Sequence, residues 1–263
     1  PLYMIFRRPV ENAIMTGVVP ERLPRLKTDI PQVQTVPVML TVSTLIPAPE
    51  KASNFGKRLE KLYLSNKTEG LTVCCLADFK GAPSPSVPED KTCVSAMCSV
   101  IDKLNKKYSG GFVFAVRERV YSKTQDEYTG RERKRGAITD LVNAIGGKSD
   151  GFSLIYGDKS ALNSIRYIFA LDADSIPEFN AVSKLVAIAE HPLNRPVIDE
   201  KAGRVTSGYG IIVPKSENRI RYENSTLFER IMSGANATGG YDGLAGEKYR
   251  DLFGESIFCG KGL

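Results

Sequence analysis

Two aspartates two residues apart, Asp172 and Asp174, follow the apolar run Tyr167 to Leu171. Burying an ionised carboxylate without a partner is costly, so the pair is expected at a strand tip that faces a cation. Mg²⁺ and Mn²⁺ prefer oxygen ligands and commonly use one or two carboxylates together with substrate phosphates. The motif therefore predicts a metal site that holds a diphosphate. A helix-capping or solvated pair is the alternative.

A third acid, Asp78, closes the apolar run "LTVCCLAD". A carboxylate at an early strand end can accept hydrogen bonds from a nucleobase or ribose, as such acids do in nucleotide-binding folds. The alternative is a turn-forming aspartate ahead of Lys80 and Gly81. The residue therefore predicts nucleotide binding, with a purely local role left open.

A basic segment precedes a helix that the sequence predicts to start at Gly136. Cations beside the free N–H groups of a helix N-terminus make a good anion site. A charged, solvated loop is the alternative, because Glu132 and Asp140 dilute the patch. The cations of the segment are Arg131, Arg133, Lys134 and Arg135.

The remaining candidates carry less chemistry. The chain has a single histidine, His191, which leaves little room for histidine-based metal sites or a Ser-His-Asp triad. We predict that His191 caps the C-terminus of a helix. Gly254 and Gly260 flank a short apolar run, which suits either a strand that passes close to a ligand or a turn.

Alternating strand and helix patterns must position these residues. The pattern predicts a parallel sheet with helices on both faces, and ligands bind such folds beyond the carboxyl ends of the strands. Asp78, Asp172 and Asp174 all lie at predicted strand ends. Pro177 is well placed for the first turn of the last helix. The predicted strands are 36–46, 71–79, 111–116 and 167–174, the helices 54–66, 95–108, 137–145 and 179–190, with a loop over 80–90.

The pattern is weaker after residue 191, where we predict a strand over 204–215, a helix over 224–233 and a flexible glycine-rich loop over 234–246. We divide the chain into an N-terminal extension, 1–35, and an α/β domain, 36–263. Because the sequence starts at a proline and stops in "FCGKGL", we expect it to be a C-terminally truncated piece of a longer polypeptide.

Composition narrows the function classes. With 263 residues, 42% of them hydrophobic, the chain can bury one large α/β core, and no apolar run is long enough to span a membrane. The net charge of +6 suits anionic ligands, but basic and acidic residues are interleaved, which disfavours nucleic acid. Five cysteines without disulfide or zinc spacing predict buried, reduced thiols in a cytosolic compartment.

The order of these elements resembles the nucleotide-sugar glycosyltransferases of the GT-A (Rossmann-like) fold. Several segments resemble, more specifically, the glycosyltransferase domain of cyclic β-1,2-glucan synthases, glycosyltransferase family 84. The resemblance covers the whole chain. The segments are "KLYLSN" (61–66), "YTGRERKRGAITDL" (128–141), "FALDADS" (169–175), "HPLNRPVID" (191–199), "GYGIIVPK" (208–215) and "DLFGESIFCGKGL" (251–263).

The resemblance implies metal-dependent transfer of glucose from UDP-glucose to the 2-hydroxyl of a growing glucan, with inversion at the anomeric carbon. It places Asp78 at the uridine and Lys134 and Arg135 near the nucleotide. Asp172 and Asp174 would hold Mg²⁺ or Mn²⁺ and the diphosphate. Cys259, Gly260 and Lys261 would lie on the acceptor side.

Members of this family are large membrane proteins, so the resemblance implies a cytoplasmic domain of an inner-membrane synthase, with the rest of that synthase as partner. In related inverting enzymes the catalytic base lies at a position beyond Leu263. Within the chain, Asp251 and Glu255 are weak candidates for a base that must reach the acceptor hydroxyl. We therefore expect the chain to bind donor and to turn over poorly.

Two other classes of protein are compatible with the same residues. A phosphatase of the haloacid dehalogenase type also uses Asp-x-Asp after a strand, but places it on its first strand, whereas Asp172 lies on the fourth predicted strand. A basic, non-catalytic module that binds nucleotides, nucleic acid or protein is the other possibility.

Overall fold

The computed structural model describes residues 22–148, 151–214, 226 and 262–263. The chain divides into two compact units, one made of Arg25–Ile212 with Gly260–Leu263 and one made of Pro1–Pro24 with Val213–Cys259. Nearly all of the second unit lies outside the described residues, as do the predicted helix 224–233 and loop 234–246. The fold below is that of the first unit, and the predicted boundary after residue 35 stays a prediction.

A five-stranded sheet forms the centre of this unit. Its strands are β1 Val38–Leu45, β2 Leu71–Asp78, β3 Phe112–Arg117, β6 Phe152–Gly157 and β7 Tyr167–Asp172, in the order β6-β3-β2-β1-β7. Strands β1, β2, β3 and β7 run parallel, so their carboxyl ends meet at one edge, and β6 pairs antiparallel with β3. The predicted α/β class with a mostly parallel, Rossmann-like sheet is confirmed. Strands β4, Val120–Ser122, and β5, Glu127–Thr129, form a separate hairpin.

Strand β6 was missing from the sequence prediction. Its pattern is weak because it lies at the edge of the described sheet, where five of its six residues are only partly buried and one is exposed. The parallel strands are different: β2 has seven buried residues in a row. A strand that is covered on both faces reads as a continuous apolar run, which is why those strands could be located from sequence.

Helices cover both faces of the sheet, as predicted. They are α1 Pro31–Gln34, α2 Pro49–Ser65, α3 Pro88–Tyr108, α4 Arg133–Ile145 and α5 Ala181–Ala189. Alternate residues of β1 face opposite sides, so Val38 and Leu40 join a core with α2, α3 and α5, whereas Met39 joins a second core with α4. None of the helices in the described ranges is long and apolar enough to cross a membrane.

Four helix starts differ from the prediction. Helix α4 begins at Arg133 instead of Gly136. Helices α2 and α3 begin earlier than expected, each with a proline in its first turn. Proline suits this position because N–H groups in the first turn have no partner within the helix, so its missing N–H costs nothing there. Helix α3 thereby takes in the end of the predicted loop 80–90. Helix α5 begins at Ala181, after Asn180 adopts a left-handed conformation with φ 58°, so the prediction that Pro177 lies in its first turn is wrong.

Two predictions near the end of the unit also need correction. His191 does not cap α5; its Nδ1 accepts from the Leu193 N–H and so caps the short 3-10 helix Pro192–Asn194. The strand predicted over 204–215 is only β9, Arg204–Ser207, paired with β8, Val197–Asp199. The strand ends at Ser207, because the next residue, Gly208, has a φ of 71° that does not continue a strand.

The four cysteines within the described ranges are free, as predicted. Cys74 and Cys75 lie in the buried centre of β2, where burial raises the pKa of Cys74 to about 12 and also raises that of Cys75. Cys93 and Cys98 are only partly buried, so the expectation of burial does not extend to them. Cys259 lies outside the described residues.

Candidate functional site

Three ionisable side chains end parallel strands of the sheet and lie on one face, with β1 between the strands of Asp78 and Asp172. Asp78 is the last residue of β2, Arg117 of β3 and Asp172 of β7. The residue before each of them belongs to the core on the opposite face, so all three side chains lie on the face that α4 covers. The carboxyl edge of the sheet and the start of α4 therefore enclose one cluster of charges.

Arg117 is the centre of this cluster, and its side chain is only 2% exposed. Its Nε and Nη2 donate to the two carboxylate oxygens of Asp78 at 2.7 and 2.8 Å, a bidentate pair. Its Nη1 donates to Asp140 on α4 at 2.9 Å. The same guanidinium also donates to the backbone carbonyls of Arg131 and Arg133, each at 2.9 Å. Arg117 thus joins two strands to the first turn of α4.

The electrostatics of the cluster favour a permanently charged Arg117. Burial acts to lower the pKa of Arg117, but hydrogen bonds with Asp78 and Asp140 outweigh it and raise that pKa above its usual value. The two carboxylates accept from three of the five guanidinium N–H donors, and the two carbonyls accept from the other two. Sequence reasoning did not single out Arg117, and it treated Asp140 only as a charge that dilutes the basic segment. The available signal was an arginine directly after the predicted strand 111–116, with an aspartate at the end of the preceding strand.

At the start of α4, two glycines let the backbone pack closely against the Arg117 cluster. A Cβ atom at Gly130 would lie 2.6 Å from the Asp78 carboxylate carbon, and one at Gly136 would lie 2.1 Å from the Arg131 carbonyl oxygen. Between these glycines, Glu132 and Arg133 adopt left-handed conformations with φ 55° and 46°. A tight turn therefore lets α4 begin directly over the strand ends.

We expect Gly136→Ala to destabilise the protein by about 1–3 kcal/mol, although alanine is the better helix former. The added methyl group would meet the Arg131 carbonyl and lie 2.9 Å from Arg117 Nη1, so the backbone of the turn must shift. Gly146→Ala, at the end of the same helix, is the matched control because its nearest neighbour is 3.4 Å away. Thermal unfolding would measure both, and equal stability of the two variants would contradict this account.

Lys134 in the first turn of α4 reaches the end of β7. Its Nζ donates to Asp172 Oδ1 at 2.5 Å. In the sheet, Asp172 is in register with Ser43 of β1, whose buried Oγ has no hydrogen-bond partner within the described part of the chain. The lysine and the aspartate thus meet at the strand edge, beside an available hydroxyl group.

Asp174 lies two residues past the end of β7 and is exposed. No hydrogen bond or ion pair joins it to another residue of the described ranges. Within those ranges no group of three acidic, histidine or cysteine side chains is arranged to hold a metal ion. Two carboxylates plus phosphate oxygens would nevertheless form a suitable donor set for Mg²⁺ or Mn²⁺. Asp172 and Asp174 therefore fit a metal that arrives with a phosphate-bearing ligand.

A second buried arginine, Arg119, orders the loop that follows β2. It donates to the Asp90 carboxylate, to the carbonyls of Lys80 and Pro85, and stacks 4.7 Å from the Phe79 ring centroid. The hydrogen bond from Arg119 lowers the pKa of Asp90. The proline-rich segment next to Asp78 is therefore held in place by a side chain that the sequence analysis did not single out.

The structure places Asp78, Lys134 and Asp172, three of the predicted site residues, at the carboxyl edge of the sheet, where Lys134 pairs with Asp172. Asp174 follows Asp172 by two residues. Arg135 is largely exposed and pairs with Glu132 at 3.2 Å. Helix α4 begins at Arg133 instead of Gly136, so Arg133, Lys134 and Arg135 lie within its first turn rather than ahead of it. The candidates Asp251, Gly254, Glu255, Cys259, Gly260 and Lys261 all lie outside the described residues.

An open cleft of about 570 Å³ borders the start of α4. It is lined by the hairpin of β4, Val120–Ser122, and β5, Glu127–Thr129, and by Gly130 and Arg131. The cleft adjoins the cluster through Gly130, but neither Asp78 nor Asp172 lines it. The charged cluster, and not this cleft, is the candidate site.

Comparison with known proteins identifies one relative. The chain is 27% identical over 230 residues to the cyclic beta-(1,2)-glucan synthase NdvB of Rhizobium meliloti (strain 1021). This chain is related to a glucan synthase. The predicted resemblance is thus confirmed, and it supports a glycosyltransferase-type function. The similarity covers 86% of the chain but only 8% of NdvB. No protein-family model matches.

Proposed function

We propose that the α/β unit binds a nucleoside-diphosphate sugar at the carboxyl edge of its sheet and serves as the donor-binding part of a glucosyltransferase. The donor is UDP-glucose and the product a β-1,2-linked glucan, formed with inversion. The donor, linkage and stereochemistry come from the resemblance to cyclic β-1,2-glucan synthases. The glucan acceptor and the remainder of a membrane-bound synthase are the partners, with the unit on the cytoplasmic side.

The observation that carries this proposal is the convergence of Asp78, Lys134 and Asp172 at the ends of parallel strands, under the start of α4. Ligands of doubly wound sheets bind at this edge. A helix N-terminus with a lysine in its first turn favours phosphate groups. Similarity to NdvB over most of the chain adds independent support for a sugar-transfer role.

Asp78 is proposed to receive the uracil base. Its two oxygens already accept from Arg117, which fixes the orientation of the carboxylate. An ionised carboxylate offers about four acceptor sites, so it can still accept a hydrogen bond from a uracil N–H. In this arrangement Arg117 is a positioning residue and not a ligand.

Lys134 and Arg135 are proposed to contact the diphosphate, and Asp172 and Asp174 to hold the divalent cation. A bound Mg²⁺ or Mn²⁺ neutralises negative charge that develops on a departing diphosphate. Lys134 adds a second positive charge on the same side, supplied by the protein. Cys259, Gly260 and Lys261 are carried over from the resemblance as acceptor-side residues.

Calorimetric titration of the chain with UDP, UDP-glucose and ADP tests this proposal, first with Mn²⁺ and then with excess chelator. We expect saturable binding of UDP and UDP-glucose that is stronger than that of ADP and is lost with chelator. Binding is a fairer test than turnover, because it depends only on the donor site. Failure of UDP to bind with Mn²⁺ present, or equal binding of ADP, would refute the proposed donor site.

A further inference from the structure

In the ligand-free protein, the ammonium group of Lys134 forms an ion pair with Asp172, one of the two carboxylates proposed to hold the metal. The ammonium lies 2.5 Å from Oδ1 of Asp172, and the two side chains are 25% and 37% exposed. The pair is thus half-buried at the sheet edge, where a charge partner is screened less than at an open surface. Asp174 differs, because it is exposed and has no ion-pair partner within the described ranges.

We propose that Lys134 is an internal counter-cation that occupies the metal site until donor binds. In the ligand-free protein it neutralises Asp172, and it releases Asp172 only when a diphosphate is present to receive the ammonium. Divalent metal and nucleotide therefore bind together, with strong positive coupling, and metal alone binds weakly. This inference rests on the donor site proposed above and adds the order in which its ligands are taken up.

The physical reason is competition for one oxygen. A divalent cation binds carboxylate oxygen at roughly 2.1 Å, so it and the Lys134 ammonium cannot both sit against Oδ1 of Asp172 without strong repulsion. Displacing the ammonium into water would lose a charge-assisted hydrogen bond. A diphosphate removes both costs, because its oxygens accept from the ammonium and also complete the coordination of the metal.

The two carboxylates of the motif therefore have different roles in the ligand-free state. Asp174 can meet a cation without first losing a partner, whereas Asp172 has to exchange one. By thermodynamic reciprocity, nucleotide must raise metal affinity by the same factor by which metal raises nucleotide affinity. Lys134 is the element that sets this coupling factor.

The test is titration of the full chain with Mn²⁺ alone, for the wild type and for Lys134→Gln. Electron paramagnetic resonance measures the concentration of free Mn²⁺ at each step. We expect the variant to bind Mn²⁺ roughly fivefold more tightly, the size expected for a partly exposed ion pair. The Mn²⁺-dependent affinity for UDP should fall about tenfold or more in the variant. The coupling between Mn²⁺ and UDP should shrink accordingly.

Lys107→Gln is the matched control. Lys107 pairs with Glu60 at 2.7 Å on the opposite face of the sheet. Its replacement therefore removes one positive charge, as Lys134→Gln does, without changing the site. We expect its Mn²⁺ and UDP affinities to equal those of the wild type. Lys134→Met provides a second variant, in which the side chain can no longer hydrogen bond to Asp172. Thermal unfolding would confirm that each variant is folded at the temperature of titration.

The outcomes separate this inference from the proposed function. Wild-type protein that binds UDP with Mn²⁺, while both Lys134 variants bind Mn²⁺ no more tightly than Lys107→Gln, would overturn the counter-cation role and leave the donor site intact. Absence of UDP binding by the wild type would overturn the donor site itself. Tighter Mn²⁺ binding together with weaker UDP binding in both Lys134 variants would support the exchange.

Discussion

Replacing Arg117 with methionine should lower the free energy of unfolding by about 3–5 kcal/mol, because it breaks a buried ion pair by removing one partner. For a chain of this size that corresponds to a fall in the melting temperature of roughly 6–20 °C. Methionine approximately fills the space of the arginine stem, so the loss reports chiefly the missing charge and hydrogen bonds.

The size of this effect follows from what Arg117 leaves behind. Asp78 and Asp140 would become uncompensated carboxylates in a half-buried cluster. The carbonyls of Arg131 and Arg133 would also lose their guanidinium donor, and unsatisfied buried acceptors cost more than the net value of the bonds that were made. Since those carbonyls lie at the start of α4, we expect local opening there before global unfolding.

A double-mutant cycle with Asp78→Asn isolates the pair. If the Arg117–Asp78 contact dominates, the double variant should be more stable than the sum of the two single losses predicts, by about 0.5–3 kcal/mol. Arg166→Met is the control, since Arg166 is 53% exposed and its ion pair with Glu190 is 3.1 Å long. An Arg117→Met loss no larger than that of Arg166→Met would contradict the central role given to Arg117.

The sequence was sufficient to locate the parallel core of the sheet. Strands β1, β2, β3 and β7 are apolar runs because the sheet is covered on both faces, and this pattern is local. Asp78 and Asp172 could be placed at one edge from the same reasoning, since the carboxyl ends of parallel strands coincide. Lys134 was identified as a nearby cation from its position before an amphipathic helix.

The partners of these residues could not be predicted in the same way. Arg117 and Asp140 are 23 positions apart, and Arg117 and Asp78 are 39 apart, so their pairing depends on strand order and on where α4 begins. The predicted helix start at Gly136 was three residues too late. With the helix start misplaced, the sequence analysis could not predict that the backbone carbonyls of Arg131 and Arg133 accept hydrogen bonds from Arg117.

The motif residue with the clearest functional test is Asp174. Asp174→Asn should reduce Mn²⁺-dependent UDP affinity on the order of 100-fold or more, since altering even supporting groups around a metal commonly costs 10–100-fold. Its effect on stability should stay within about 0.5 kcal/mol, because Asp174 is exposed and has no partner in the described ranges. A loss of UDP binding by Asp174→Asn would therefore report the loss of a metal ligand and not an unfolded protein.

Glu178→Gln is the matched control for Asp174→Asn. Glu178 follows in the same connection between β7 and α5 and its side chain is 82% exposed, so its loss makes an equal change in net charge. We expect it to leave UDP and Mn²⁺ binding unchanged in the same calorimetric titration. If Asp174→Asn also bound UDP with unchanged metal dependence, Asp172 alone would have to hold the cation. The exchange of Lys134 for the metal at Asp172 would then have to account for the whole metal dependence of UDP binding.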